Sequence, residues 1–197
     1  MFPSHDLRGL VNSELHYDYS PYAGQPIDTA GVIYHLSAIG QGDTNSTRSG
    51  NTILPRYLTY CVKLQNNVVD FETVRFILFR WKDNSTPVPA DIFEDNSNPV
   101  YSPLNDNITG NLRDRQIDII RDDWISLGRS SEKNGSVVFK DTVDLNPPSK
   151  SIKDHIKYDN GITTAPLGGI YMLFIGRNTG ASSSIFEGSH KLSFHDN

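Results

Sequence analysis

Short apolar or alternating runs recur along the whole chain, and clusters of Gly, Pro, Asn, Asp and Ser separate them. Such spacing suits a sandwich or barrel of many short strands and argues against strand–helix alternation around a parallel sheet. Candidate strands lie at 31–38, 53–64, 73–81, 116–127, 136–145, 155–158, 169–176 and 184–195. Because strand side chains point alternately to opposite faces, Leu58, Tyr60, Val62 and Leu64 share one face, with Thr59 and Lys63 on the other. Val137, Phe139, Val143 and Leu145 likewise share a face, interrupted by Asp141. Two runs depart from this pattern. Residues 76–79 and 170–175 are apolar on both faces, so both sides need cover, from a long internal loop or from a neighbouring subunit. Helical periodicity is nowhere sustained for three turns; Pro89 to Glu94 allows a turn or two. The polar stretch 82–115 reads as a surface excursion between sheets.

A chain of 197 residues is one domain by default, since all-β sandwiches reach this size without splitting. The sandwich is expected over 31–197, preceded by an N-terminal segment, 1–30, that is extended or forms an interface. Hydrophobic residues make up 37% and charged residues 21%, too apolar a balance for intrinsic disorder. No run approaches the roughly eighteen apolar residues of a membrane helix, and residues 1–10 lack the pattern of a signal or transit peptide. No membrane partner is expected. The lone cysteine, Cys61, sits in a strand-like run and reads as a small buried hydrophobe. The formal net charge is −5, and residues 1–50 set only Arg8 and Arg48 against Asp6, Glu14, Asp18, Asp28 and Asp43. That balance excludes a nucleic-acid surface spread over the whole molecule.

The groups that carry chemistry are scattered. His5, His16, His35, His155, His190 and His195 form no pair at metal-ligand spacing, and the glycine-rich and nucleophile motifs of nucleotide and acyl-transfer enzymes are missing. Asp122 with Asp123, and Glu94 with Asp95, are adjacent residues that a strand would point to opposite faces, so they read as solvated carboxylates. No catalytic activity is expected. The Asn-x-Ser/Thr sequons at Asn45, Asn84, Asn107 and Asn134 read as products of Asn- and Ser-rich loops.

One segment goes beyond composition: Gln41-Gly42-Asp43-Thr44-Asn45-Ser46-Thr47-Arg48-Ser49-Gly50-Asn51, between the first two candidate strands. It resembles the Q-G-D-x-x-x-x-R-x-G-[DN] connection in single jelly-roll coat proteins of satellite tobacco necrosis virus and of small circular single-stranded DNA viruses, the circovirus-like group. Val74-Arg75-Phe76-Ile77-Leu78-Phe79-Arg80-Trp81 and Gly169-Ile170-Tyr171-Met172-Leu173-Phe174-Ile175-Gly176 resemble two strands of the same family, in the same order. The resemblance covers the chain from about residue 31 to its end. It implies an all-β fold, an eight-stranded antiparallel sandwich with Greek-key connections. It implies a structural capsid protein in the virion, self-assembling into an icosahedral shell of about sixty copies with T=1 symmetry. In the first motif, Gly42 and Gly50 would allow φ > 0 at the ends of a tight connection, while Arg48 would tie down carbonyls or a carboxylate.

The family binds calcium between subunits. By position, Asp43 matches an aspartate near the three-fold axis, Ser49 and Thr52 match carbonyl donors, and Asp196 matches an acid near the C-terminus. Thr44 and Asn51 stand where the family has further acids. Asp43 and Arg48 are the interface candidates. The basic N-terminal arm by which such proteins hold their genome is missing, which leaves Arg113, Arg115, Arg121 and Lys133 as candidate nucleic-acid contacts, or an empty shell. A host receptor would be a further partner, of unspecified kind. The competing function is a carbohydrate-binding jelly roll that uses exposed aromatics, for which Tyr17, Tyr19 and Tyr22 are candidates.

Overall fold

The computed structural model describes residues 14–105, 117–133, 135–145, 155–159, 163, 166–178 and 183–196. Among these described residues, nine strands and one helical turn follow in order: β1 (Leu15–Ile27), β2 (Val32–His35), β3 (Thr52–Gln65), β4 (Glu72–Trp81), α1 (Pro89–Ile92), β5 (Ile117–Leu127), β6 (Ser136–Asp144), β7 (Ile156–Lys157), β8 (Gly169–Gly176) and β9 (Ser184–Asp196). They form two antiparallel sheets, ordered β1-β9-β3-β6, with β7 added beside β3, and β2-β8-β4-β5. β1 pairs with β9, β2 with β8, β3 with β6 and β4 with β5. The chain is thus a nested hairpin of four strand pairs rolled over on itself, which is the double Greek key of a jelly roll.

Each sheet gives alternate residues to the space between them. From β3 come Leu58, Tyr60, Val62 and Leu64, from β4 Val74, Phe76 and Leu78, from β8 Ile170, Met172 and Phe174, and from β9 Phe186, Leu192 and Phe194. The expected shared face of β6 is present: Val137, Phe139 and Val143 pack on this core. Asp141 interrupts it because it meets Arg121 of β5, at 2.5 Å, where the two edge strands close one side of the sandwich.

The doubly apolar strands are covered from within the chain. Ile77, Phe79 and Trp81 of β4 and Tyr171, Leu173 and Ile175 of β8 form a second core with Ile92, Phe93 and Val100 of the excursion after β4. Of the two covers open to the sequence, the loop is the one observed. Arg75, fully buried, pins it: Nε and Nη2 donate to Asp122 at 2.8 and 2.7 Å, and Nη1 donates to the Ser102 carbonyl at 2.6 Å. Its guanidinium lies 4.5 Å from the Trp124 ring centre and 5.1 Å from that of Phe93. Trp124 Nε1 also donates to the Val100 carbonyl at 2.9 Å.

The structure adds one strand to these expectations and differs from two of them. A strand precedes residue 31: within the segment 1–30 expected to be extended or to form an interface, β1 (Leu15–Ile27) is extended and joins the first sheet of the sandwich beside β9. Its alternation is inverted, with His16, Asp18 and Ser20 on the half-buried side and Leu15, Tyr17 and Tyr19 outward, so polarity concealed it. Cys61 is half-buried rather than buried, since its neighbours Tyr60 and Val62 take the inward positions of β3. The positive-φ glycines among the described residues are Gly31 and Gly168, not Gly42 and Gly50.

Candidate functional site

Residues 40–51 form a loop clasped at its stem. Gln41 bridges to Arg48, Arg48 donates its amide to the Gly40 carbonyl, and Gly42 donates to the Arg48 carbonyl, both at 3.0 Å. At the tip, Thr47 turns the chain: its amide donates to the Thr44 carbonyl at 3.0 Å, and its hydroxyl accepts the Thr44 amide at 2.8 Å. Gly42 lies tightly against Thr47; a Cβ there would come within 3.2 Å of the Thr47 hydroxyl. Thr44 is therefore spent on the turn.

Arg48 carries the clasp. Its side chain is fully buried, Nε donates to the Ile39 carbonyl at 3.2 Å, and Nη1 donates to the Gly50 carbonyl and to Asn51 Oδ1. The guanidinium sits 4.1 Å from the centre of the Tyr158 ring. A planar group with five donors meets this set of carbonyls and a ring face together; an ammonium does not. As expected from the sequence, Arg48 ties down carbonyls, and it does so inside its own chain.

Asp196 closes the loop from the far end of the sequence. One carboxylate oxygen accepts the Ser49 amide and, at 2.5 Å, the Ser49 hydroxyl; the other accepts the Gly50 amide at 3.4 Å. Burial pushes its pKa up, but the Ser49 and Gly50 donors outweigh this and hold it below the usual carboxylate range. The Tyr17 amide of β1 donates to the Asn45 carbonyl at 3.0 Å, so the loop lies along the edge of the first sheet. Thr52 opens β3 opposite Lys157. Asp43 stands exposed at the tip and makes no hydrogen bond or ion pair among the described residues. The structure thus brings Ser49 and Asp196 together and leaves Asp43 apart from them.

Below the stem lies a buried polar hub that the sequence did not reveal, because its members are up to 168 positions apart. His190 of β9 sits between the Tyr22 hydroxyl, at Nδ1, and the Leu36 carbonyl, 2.9 Å from Nε2. The carbonyl accepts only, so Nε2 carries the proton and the Tyr22 hydroxyl donates to Nδ1. Ser37 Oγ accepts the Ile170 amide at 3.0 Å, and the Ser37 carbonyl accepts the Tyr158 hydroxyl at 2.8 Å. His35 stacks on Tyr171, ring centres 4.6 Å apart, and pairs with the Ser37 hydroxyl at 3.0 Å. Burial pushes the His35 pKa down to about 4, with the nearby His190 adding to the shift. Burial also lowers the His190 pKa, partly offset by the Leu36 bond and by Asp18.

Of the nucleic-acid candidates, Arg113 and Arg115 lie outside the described residues. Arg121 is committed to the Tyr60 hydroxyl at 2.8 Å and to Asp141 and Asp123, while Lys133 is exposed. Tyr22 is buried in the hub. Tyr17 and Tyr19 are 46% and 60% exposed on the outer face of the first sheet. Tyr57 (44% exposed) shares that face, across Ser193 from Tyr17. The described residues hold no group of three His, Cys, Asp or Glu placed to bind a metal, and no helix is long and apolar enough to cross a membrane.

No protein-family model matches the sequence, and no curated protein does. Among solved structures, the chain is similar to the empty head of turnip yellow mosaic virus, at 12% identity and TM-score 0.38, covering 94% of this chain and 82% of that one. A second turnip yellow mosaic virus structure aligns at 15% identity and TM-score 0.34, over 93% and 82% of the two chains. Desmodium yellow mottle tymovirus aligns at 11% identity and TM-score 0.35, over 91% and 86%. At such scores the fold rests on the strand order itself.

Proposed function

We propose that this chain is a structural coat protein whose copies close into an icosahedral shell, of about sixty copies in T=1 symmetry, and that it resides in the virion. The observation that carries the reading is the rolled hairpin, β1-β9-β3-β6 over β2-β8-β4-β5, joined to the clasped 40–51 loop that bears the family's Q-G-D-x-x-x-x-R-x-G pattern. Jelly rolls serve several functions, so the loop sequence is what turns the fold toward the satellite-virus and circovirus-like coat proteins.

The loop is held by Arg48, Asp196 and the Tyr17 amide before any partner arrives. A contact surface ordered in advance binds without the entropic cost of ordering it. Asp43 is then presented to neighbouring copies. Several such carboxylates brought together repel by about 1 kcal/mol per pair in water and more when partly buried, so a cation or a base from the neighbour offsets them. A calcium ion at that junction would take Asp43 from more than one copy, with oxygens near Ser49 and Thr52 as further donors; Asp196 already serves the Ser49 and Gly50 amides. Genome contact falls to Lys133, Arg113 and Arg115, and shells of this chain carry little nucleic acid.

Negative-stain images and light scattering test the reading: closed particles are expected, and only monomers or dimers across salt, pH and concentration would overturn it. With calcium at the junction, chelation lowers the particle melting temperature and Asp43→Asn abolishes that sensitivity. A second reading, a carbohydrate-binding module, draws on one observation, the outward Tyr17, Tyr19 and Tyr57 on one sheet face. Binding to arrayed glycans lost in Tyr19→Ala, with no particle formed, would favour it.

A further inference from the structure

The hub holds one hydrogen bond with two acceptors in reach. His190 Nε2 is 2.9 Å from the Leu36 carbonyl and 3.9 Å from Asp18 Oδ2. Asp18 is half-buried on the inward side of β1, and its other described contact is the Ser20 hydroxyl at 3.3 Å. While the ring is neutral, the carbonyl takes the Nε2 proton and Nδ1 accepts from Tyr22. When the ring is charged, a carboxylate one ångström further away is the stronger acceptor.

Leu36 is the start of the loop's stem. Its amide donates to the Ile170 carbonyl at 2.8 Å; Ile39 donates to the Ser37 carbonyl at 2.9 Å; Arg48 returns to the Ile39 and Gly40 carbonyls. Whatever holds the Leu36 carbonyl therefore holds the segment from which 40–51 projects.

We propose that His190 is an acid-operated latch on this stem: a solvent proton taken up at Nδ1 moves the Nε2–H from the Leu36 carbonyl to the Asp18 carboxylate and releases the 40–51 loop. The proton balance is simple. Nδ1 changes from acceptor to donor, and the Tyr22 hydroxyl, which donated to it, now accepts from it.

The other groups facing the ring fit this role. β1 supplies Asp18 and Tyr22, and β2 supplies His35, whose own charge would oppose that of His190. β3 places Tyr60 opposite His190 in register, with its hydroxyl already bound to Arg121. Arg48 and Tyr158 sit one step away across Ser37. Asp18 is thus the carboxylate that the charged ring can reach, and the latch is a property of the single chain, whether or not copies assemble.

Hydrogen exchange of the full chain, read in peptides spanning 36–51 from pH 7.5 to 5 and corrected for intrinsic rates, tests it. Protection is expected to fall, by up to about tenfold per pH unit, as the pH drops below the ordinary histidine range, because burial holds the His190 pKa beneath it. His190→Gln keeps a donor for Leu36 and an acceptor for Tyr22 but does not titrate, and should remove the slope. Asp18→Asn should displace the fall to lower pH. If His190→Gln does not fold, NMR titration of the His190 ring in the parent replaces it, and the loss of protection must track that ring. A flat parent profile, a slope unchanged in Asp18→Asn, or a slope that follows another histidine overturns the proposal.

Discussion

Arg75→Met removes the pin that holds the excursion over the second sheet. The methionine keeps much of the volume between Phe93 and Trp124 but none of the donors. Asp122 loses two charge-assisted bonds of 2.8 and 2.7 Å, and the Ser102 carbonyl loses one of 2.6 Å. Removing one partner of a buried pair costs about 3–5 kcal/mol. The Asp122 side chain keeps 19% of its surface in water, which relieves part of its desolvation, so about 2–4 kcal/mol is expected. With a urea m-value of about 2–3 kcal/mol per M, the unfolding midpoint falls by about 1 M. The loss is also local: the excursion lifts first, so protease cleavage within 82–105 should appear well below the global midpoint. Asp122→Asn retains an acceptor for the guanidinium and should cost about 1–2 kcal/mol. An Arg75→Met protein with the parent's midpoint and an excursion still resistant to protease would refute the pin.

Acid should destabilise the fold through His35. Its folded pKa, about 4, lies below the ordinary value of 6.5, so the unfolded chain takes the proton first; stability is complete above pH 6.5 and erodes as the pH falls toward 4, by up to about 3 kcal/mol. Melting temperature against pH checks this, and His35→Phe should reduce the slope over that window, leaving the part contributed by His190. Arg48→Lys should cost about 2–4 kcal/mol in urea unfolding, because one ammonium cannot reach the Ile39 and Gly50 carbonyls while covering the Tyr158 ring. Gly188→Ala should lose about 3 kcal/mol or fail to fold, since its Cβ would strike the Cys61 carbonyl oxygen and approach Val62 Cα to 2.9 Å in the β9–β3 ladder.

Strands whose apolar residues face the core were legible by alternation, as β3 and β6 show. β1 was not, because it turns His16, Asp18 and Ser20 inward toward the hub and presents Tyr17 and Tyr19 outward; its place depends on pairing with β9 at the other end of the chain. The excursion was legible as a long polar segment, but its service as cover was not. That service rests on a few apolar anchors, Ile92, Phe93 and Val100, and on an arginine that alternation would have sent to solvent. Of the site, the loop was legible from its motif, and Arg48 did what its donor set suggested. Ser49 and Asp196 were grouped only by the resemblance, as calcium donors and not as hydrogen-bond partners; their meeting, like that of His190 with Tyr22 and Leu36, depends on long-range register that local pattern does not carry.

Sedimentation velocity on the purified chain tests the coat reading most directly. About sixty copies of a 22.0 kDa chain make a particle of about 1.3 MDa, and a single fast boundary of that mass, with closed shells in the electron microscope, is the expected result. A protein that stays at monomer or dimer mass through every change of salt, pH and concentration contradicts it.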